Sequence, residues 1–174
     1  MLTQRVKELI TNWLVEEGFE VKNLSSLPPI QITWGLDVFT PPPLKVNLKI
    51  FKPKGKEDRV IILLGVGVSP VHAKKLAELK PEGRLKFSSK LLGRILSVCN
   101  ICNVAIQPNP VEIQAITVAL TIFDSRISED SKPEFLERIT LAVNAFLEII
   151  STFNEEFPAL PEASGKEEST TTRI

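Results

Sequence analysis

The chain has 174 residues, 43% of them hydrophobic and 24% charged, with 21 basic and 21 acidic side chains and two cysteines. That length suits one domain with a real core, and the composition is that of a globular protein rather than a disordered or fibrous one. No stretch of about 18 apolar residues exists to span a bilayer, the first residues lack a secretory signal pattern, and two cysteines cannot build a disulfide framework. A cytoplasmic protein without a membrane segment is the expectation.

The balanced total hides a segregation. Residues 45–94 carry 13 Lys/Arg against 4 Asp/Glu, and residues 124–174 carry 5 against 11. Such halves can neutralise each other within the molecule or between subunits, and a basic face can also attract nucleic acid.

Residues 2–17 form an amphipathic helix, with Leu2, Val6, Leu9, Ile10, Trp13 and Leu14 on one stripe. Gly18 ends it as a left-handed cap. Residues 19–24 read as a short strand or connector. Residues 30–39 alternate, with Ile32, Trp34, Leu36 and Val38 on one side, as a half-buried strand does, and Pro41-Pro42-Pro43 ends it. Residues 44–51 alternate again, and their Lys45, Asn47 and Lys49 face should be wet. Residues 60–68 (Val60-Ile61-Ile62-Leu63-Leu64, then Val66 and Val68) suit a strand buried on both faces, paired with its predecessor as a hairpin across the Gly55 turn.

Ser69 and Pro70 then cap a short helix over 71–79, which stops near Pro81. A longer helix over 82–101 follows, apolar at Leu85, Phe87, Leu91, Leu92, Ile95, Leu96 and Val98. Lys80, Arg84, Lys86, Lys90 and Arg94 make its other face basic. Residues 103–107 and 111–123 form a second hairpin about Pro108-Asn109-Pro110. Ser131 with Glu134 matches a capping box, and the helix after it carries Phe135, Ile139, Ala142, Val143, Phe146, Ile149, Ile150 and Phe153. Pro158 ends that helix. The division is therefore one α+β domain over 1–157 and a disordered acidic and polar tail over 158–174.

Three sets of residues carry a family resemblance. They are Asn12-Trp13-Leu14-Val15-Glu16-Glu17-Gly18-Phe19, the segment Pro53-Lys54-Gly55-Lys56-Glu57-Asp58-Arg59-Val60, and Ser69-Pro70-Val71-His72 with Leu79-Lys80-Pro81-Glu82-Gly83-Arg84. Over residues 2–157 the chain resembles an uncharacterised, mainly archaeal family of unknown function. The element order, α-β-β-β-α-β-β-α, resembles that of type III secretion chaperone-like proteins. The resemblance implies an antiparallel sheet packed by the N- and C-terminal helices, and homodimers that bind extended segments of a partner. It brings no catalytic residue with it.

The residues themselves offer little chemistry. Cys99-Asn100-Ile101-Cys102 is a C-x-x-C, but it sits at a helix C-terminus, where the dipole has the wrong sign to activate a thiol. Buried structural thiols are the expectation, with a disulfide between them the lesser alternative. Gly65-Val66-Gly67 lacks the remaining glycine of a phosphate-binding turn. His72, the sole histidine, reads as an exposed or hydrogen-bonded surface side chain, and Asp37, Asp58 and Asp124 show no pairing. No catalytic, cofactor or metal site follows, and no cofactor is expected. The leading expectation is a non-enzymatic protein-interaction or chaperone-like module, homodimeric, with a protein partner that meets Trp34, Lys80, Arg84, Lys86, Lys90 and Arg94. A nucleic-acid-associated protein using the basic 45–94 surface is the alternative, and an enzyme using Cys99/Cys102 or His72 the third.

Overall fold

The computed structural model describes residues 2–158 together with 172 and 173. The elements run α1 (Leu2–Glu16), β1 (Glu20–Asn23), β2 (Ile32–Phe39), β3 (Asn47–Pro53), β4 (Arg59–Gly67), α2 (Pro70–Glu78), α3 (Pro81–Val98), β5 (Asn103–Asn109), β6 (Glu112–Phe123), α4 (Lys132–Glu156) and β7 (Thr172–Arg173). The fold is α+β. The strands lie in the order β1-β2-β3-β4-β6-β5, and β7 pairs in parallel with β4 at Val66 and Gly67. The segment read as a strand or connector is thus a strand, β1, antiparallel to β2. The tail predicted over 158–174 lies, for residues 159–171 and 174, outside the described residues.

The chain forms two compact units, one of residues 1–64 and 119–140, the other of 65–118 and 141–174. In the first, Val6, Ile10, Trp13 and Leu14 of α1 are buried, and Trp13 meets Phe135 with ring centroids 5.6 Å apart. Gly18 takes φ +81°, so that its own N–H reaches Val15 O and the Phe19 N–H reaches Leu14 O. A residue with a Cβ would be strained there, which is why the helix stops. Lys132 holds Glu16 and Glu17 at 2.8 and 2.7 Å.

Strand β3 departs from the alternation. Of the predicted wet face only Lys45, which precedes the strand, is exposed: Asn47 is buried and Lys49 half-buried, and Lys52 further along is buried with Leu48, Ile50 and Phe51. Partners explain this. Asp37 lies opposite Lys49 in the β2–β3 register and forms an ion pair with it, while the Asn47 amide donates to the same carboxylate at 2.7 Å. Lys52, wholly buried, forms an ion pair with Asp124 and donates to Glu57 O at 2.9 Å. A buried charge persists when it is paired and hydrogen-bonded. Strand β4 in turn is buried on one face and only half-buried on the other. Ser131 also differs from its reading. Its hydroxyl donates to Ser128 O and accepts from the Ser128 N–H, within a 3-10 turn, and Glu134 pairs with Arg126 and Arg138 instead.

In the second unit, Ser69 caps α2 by accepting from the His72 N–H, with Pro70 in the first turn. Pro81 opens α3 after two intervening residues, Leu79 and Lys80. Phe146, Ile149 and Phe153 of α4 are buried, and Phe153 meets Phe87 edge-on at 4.9 Å and His72 at 5.4 Å. Phe157 closes this aromatic cluster, 5.2 Å from Phe87.

Candidate interaction surface

The two ends of a sheet present unpaired backbone groups, and proteins blunt them with short strands, charges or proline. Here the ends are β1 and β5. β1 is four residues long and carries Glu20 and Lys22, which pair with each other at 2.7 Å. β5 has the sequence NVAIQPN, with no charged side chain. Pro108 lacks a backbone donor and closes its far end, which leaves Asn103–Gln107 able to accept another strand. Within that stretch Val104 is half-buried and Ile106 buried, while Asn103, Ala105 and Gln107 are exposed.

Helix α3 contacts β5 and adds an apolar flank. Its core stripe is Phe87, Leu91 and Ile95, with Ser88 buried beside them. A second stripe, Leu85, Leu92 and Leu96, follows the i, i+7, i+11 spacing of another face. Leu85 is 49% and Leu96 44% exposed. The Ser88 hydroxyl donates to Pro110 O at 2.6 Å, in the turn between β5 and β6. Leu85 and Leu92 stand three residues before and four after Ser88, hence on the side of α3 that faces this hairpin. Ile101, 44% exposed, continues the apolar surface into the connection to β5.

That connection contains the C-x-x-C. Cys99 ends α3, and its φ of −145° and ψ of 82° turn the chain back so that Cys99 and Cys102 have Cα atoms 5.4 Å apart and form a disulfide. The residues are buried, as predicted, but they are not thiols. The bond staples the end of α3 to the start of β5. Its loop is short, so the cross-link should contribute about 2 kcal/mol through the unfolded chain. Denaturation of the Cys99→Ala/Cys102→Ala variant should show that loss, and wild type in reductant should match the variant.

The basic series of α3 is largely engaged. Lys90 pairs with Glu155 and Glu156 at 3.7 and 3.1 Å, and Arg94 forms an ion pair with Glu155. The Arg94 hydrogen bond holds the Glu155 carboxyl below its ordinary carboxylate value. The acidic end of the chain thus neutralises part of the basic middle, inside the molecule. Lys80 and Lys86 remain exposed and Arg84 is half-buried. Trp34 is 8% exposed and lies in the core, where a partner does not reach it.

His72 is not a surface residue. It is 3% exposed, with Nε2 3.2 Å from Phe157 O and Nδ1 3.1 Å from the Ser69 hydroxyl. A carbonyl only accepts, so Nε2 carries the hydrogen there, and the imidazole pins the chain after α4 to the start of α2. Asp37 is committed to Lys49, Asp58 to Arg59 at 2.8 Å, and Asp124 to Lys52. Among the described residues no cluster of three or more His, Cys, Asp or Glu could hold a metal ion, and no helix is long and apolar enough to cross a membrane. A cavity of about 600 Å³ opens between Val6 and Leu9 of α1 and the turn 124–130, walled also by Asp124, Ile127 and Glu129.

The edge and its leucine flank escaped the sequence reading, which took the apolar positions of α3 as one stripe. The signal was present: Leu85, Leu92 and Leu96 form a set offset from Phe87, Leu91 and Ile95.

Comparison with known proteins places this architecture. A family model described as "Uncharacterized conserved protein (DUF2299)" matches residues 6–153. The fold is similar to the crystal structure of an uncharacterized protein from Methanothermobacter thermautotrophicus. The TM-score is 0.72 and the identity 24%, over 87% of this chain and 99% of that one. No curated protein matches the chain.

Proposed function

The chain belongs to this family of uncharacterised conserved proteins, and we propose that it is a non-enzymatic protein-interaction module that captures an extended segment by strand addition at β5. The observation that carries the reading is an uncharged sheet edge at Asn103–Gln107 beside the exposed leucines of α3. An added strand satisfies the edge N–H and C=O groups, and the α3 flank takes its alternate side chains, the division of labour of β-augmentation. The fitting segment has apolar residues at alternate positions and no charge. The engaged His72, Cys99, Cys102 and carboxylates support a role without catalysis. The neutralised Lys90 and Arg94 weigh against a nucleic-acid surface.

Selection of random extended peptides on wild-type protein, immobilised at low density, tests this. The enriched peptides should alternate apolar and neutral residues, protect the β5 amides from hydrogen exchange and bind at least about tenfold more weakly to Leu96→Glu. Recovery of only charged peptides, or of peptides indifferent to Leu96→Glu, would refute the reading.

A further inference from the structure

The cavity between α1 and the turn 124–130 takes no part in strand addition: its wall belongs to the first unit, and β5 to the second. Its volume of about 600 Å³ is that of a small-molecule site, where apolar walls carry a few placed polar groups. We propose that it binds a small amphipathic amine, with the ammonium at Asp130 and the apolar body against Val6, Leu9 and Ile127.

The apolar wall comes from two elements. Val6 and Leu9 stand three residues apart on α1, hence on one side of it, and Ile127 lies between the 3-10 turns Asp124–Arg126 and Glu129–Ser131. Val6 is buried, while Leu9 and Ile127 are half-buried, so both keep surface to give to a ligand. Hydrogen bonds within the chain hold the turn in shape. The Asp124 N–H donates to Asp58 O at 2.8 Å, the Ile127 N–H to Asp124 O at 3.0 Å, and the Ser128 N–H to the Ser131 hydroxyl at 2.7 Å. A wall formed in advance needs little ordering on binding.

Charge selects the ligand. Three carboxylates, Asp124, Glu129 and Asp130, line the cavity against one cation among the described residues, Arg5. That guanidinium is engaged, with Nη2 2.9 Å from Glu129 Oε1. Asp124 has its cation in Lys52, which is buried and does not line the cavity. Asp130 has no ion-pair partner among the described residues. An entering anion would meet like charge with the guanidinium already taken, and a neutral apolar molecule would gain nothing from Asp130. A primary ammonium carries the complementary charge and three donors for groups that only accept.

The test uses three six-carbon probes that share an apolar body and differ in charge: hexylamine, hexanol and hexanoate. Hexylamine should shift the methyl NMR signals of Val6, Leu9 and Ile127 saturably, with a Kd at or below about 1 mM, and the other two should bind at least about tenfold more weakly. Shortening hexylamine to propylamine should weaken binding by at least about twofold per methylene removed. Asp130 and Arg5 are both exposed, so Asp130→Asn and Arg5→Gln keep the fold, which circular dichroism verifies. Asp130→Asn should weaken hexylamine by at least about threefold, and Arg5→Gln, which frees Glu129, should strengthen it. No saturable shift at these methyls, hexanol or hexanoate binding as well as hexylamine, or an Asp130→Asn variant equal to wild type overturns the inference. Peptide capture at β5 is read separately, so either result can fail while the other stands.

Discussion

Lys52→Ala should lower the unfolding free energy by about 3 kcal/mol, the lower end of what removing one partner of a buried ion pair costs. The lower end applies because Asp124 keeps 26% of its side chain exposed while Lys52 keeps 1%. Two losses combine. The Asp124 carboxylate keeps its place with one oxygen, Oδ1, already buried and unpartnered, and now loses the cation on the other. The Glu57 carbonyl loses its donor at the same time. Lys52→Met separates charge from packing, since it retains an unbranched apolar stem. It should cost less than alanine, and combining it with Asp124→Asn should recover part of the loss, a coupling that a double-mutant cycle measures. Denaturant unfolding gives all four values. A cost below about 1 kcal/mol for Lys52→Ala would mean that the pair is no more than a surface contact.

The second large effect belongs to the other unit. Phe153→Ala should cost about 4 kcal/mol, in the range of large-to-small changes at fully buried aromatic positions. Phe153 has no exposed surface and stands among Phe87, His72 and Phe157. Removing its ring takes away the edge contacts and leaves a void among aromatic rings that are too rigid to fill it. The loss should loosen the His72 contact with the Phe157 carbonyl as well, so hydrogen exchange after α4 should quicken more than at β2. Phe153→Leu, which retains most of the volume, should cost less than half as much. A Phe153→Ala variant as stable as wild type would remove the cluster as the organiser of this unit.

These two residues mark how far the sequence could be read. Phe153 was legible: it falls in a clean three-and-four spacing with Phe146, Ile149 and Ile150, and a helical stripe of that kind has one physical outcome, burial. Gly18, Gly55 and the Ser69-Pro70 cap were legible for the same reason, because each answers a local backbone need. Lys52 was not. A lysine just past the end of an alternating strand reads as part of a solvated turn, and the carboxylate that makes its burial tolerable lies 72 residues further on. His72 misled likewise, since one of its two hydrogen-bond partners, the Phe157 carbonyl, is 85 residues away. Ser131 shows a local failure: the Ser-x-x-Glu pattern is present, but a competing partner, Ser128, three residues earlier, takes the hydroxyl. The β5 edge required the strand order, because five neutral residues acquire meaning only once they are known to lie at the end of the sheet.

The boundaries between the two units fall after Leu64, Val118 and Thr140, inside β4, β6 and α4. Neither unit is therefore a contiguous stretch of polypeptide, and no cut at a loop releases either intact. On the ribosome, the first 64 residues wait for residues 119–140 before their unit is complete, so its apolar surfaces stay uncovered while some 50 intervening residues are made. Long-range closure of this kind slows folding relative to locally paired chains. A nascent-chain arrest series should accordingly find protease resistance arriving late and in one step, after Thr140 has cleared the exit tunnel, rather than once for each half.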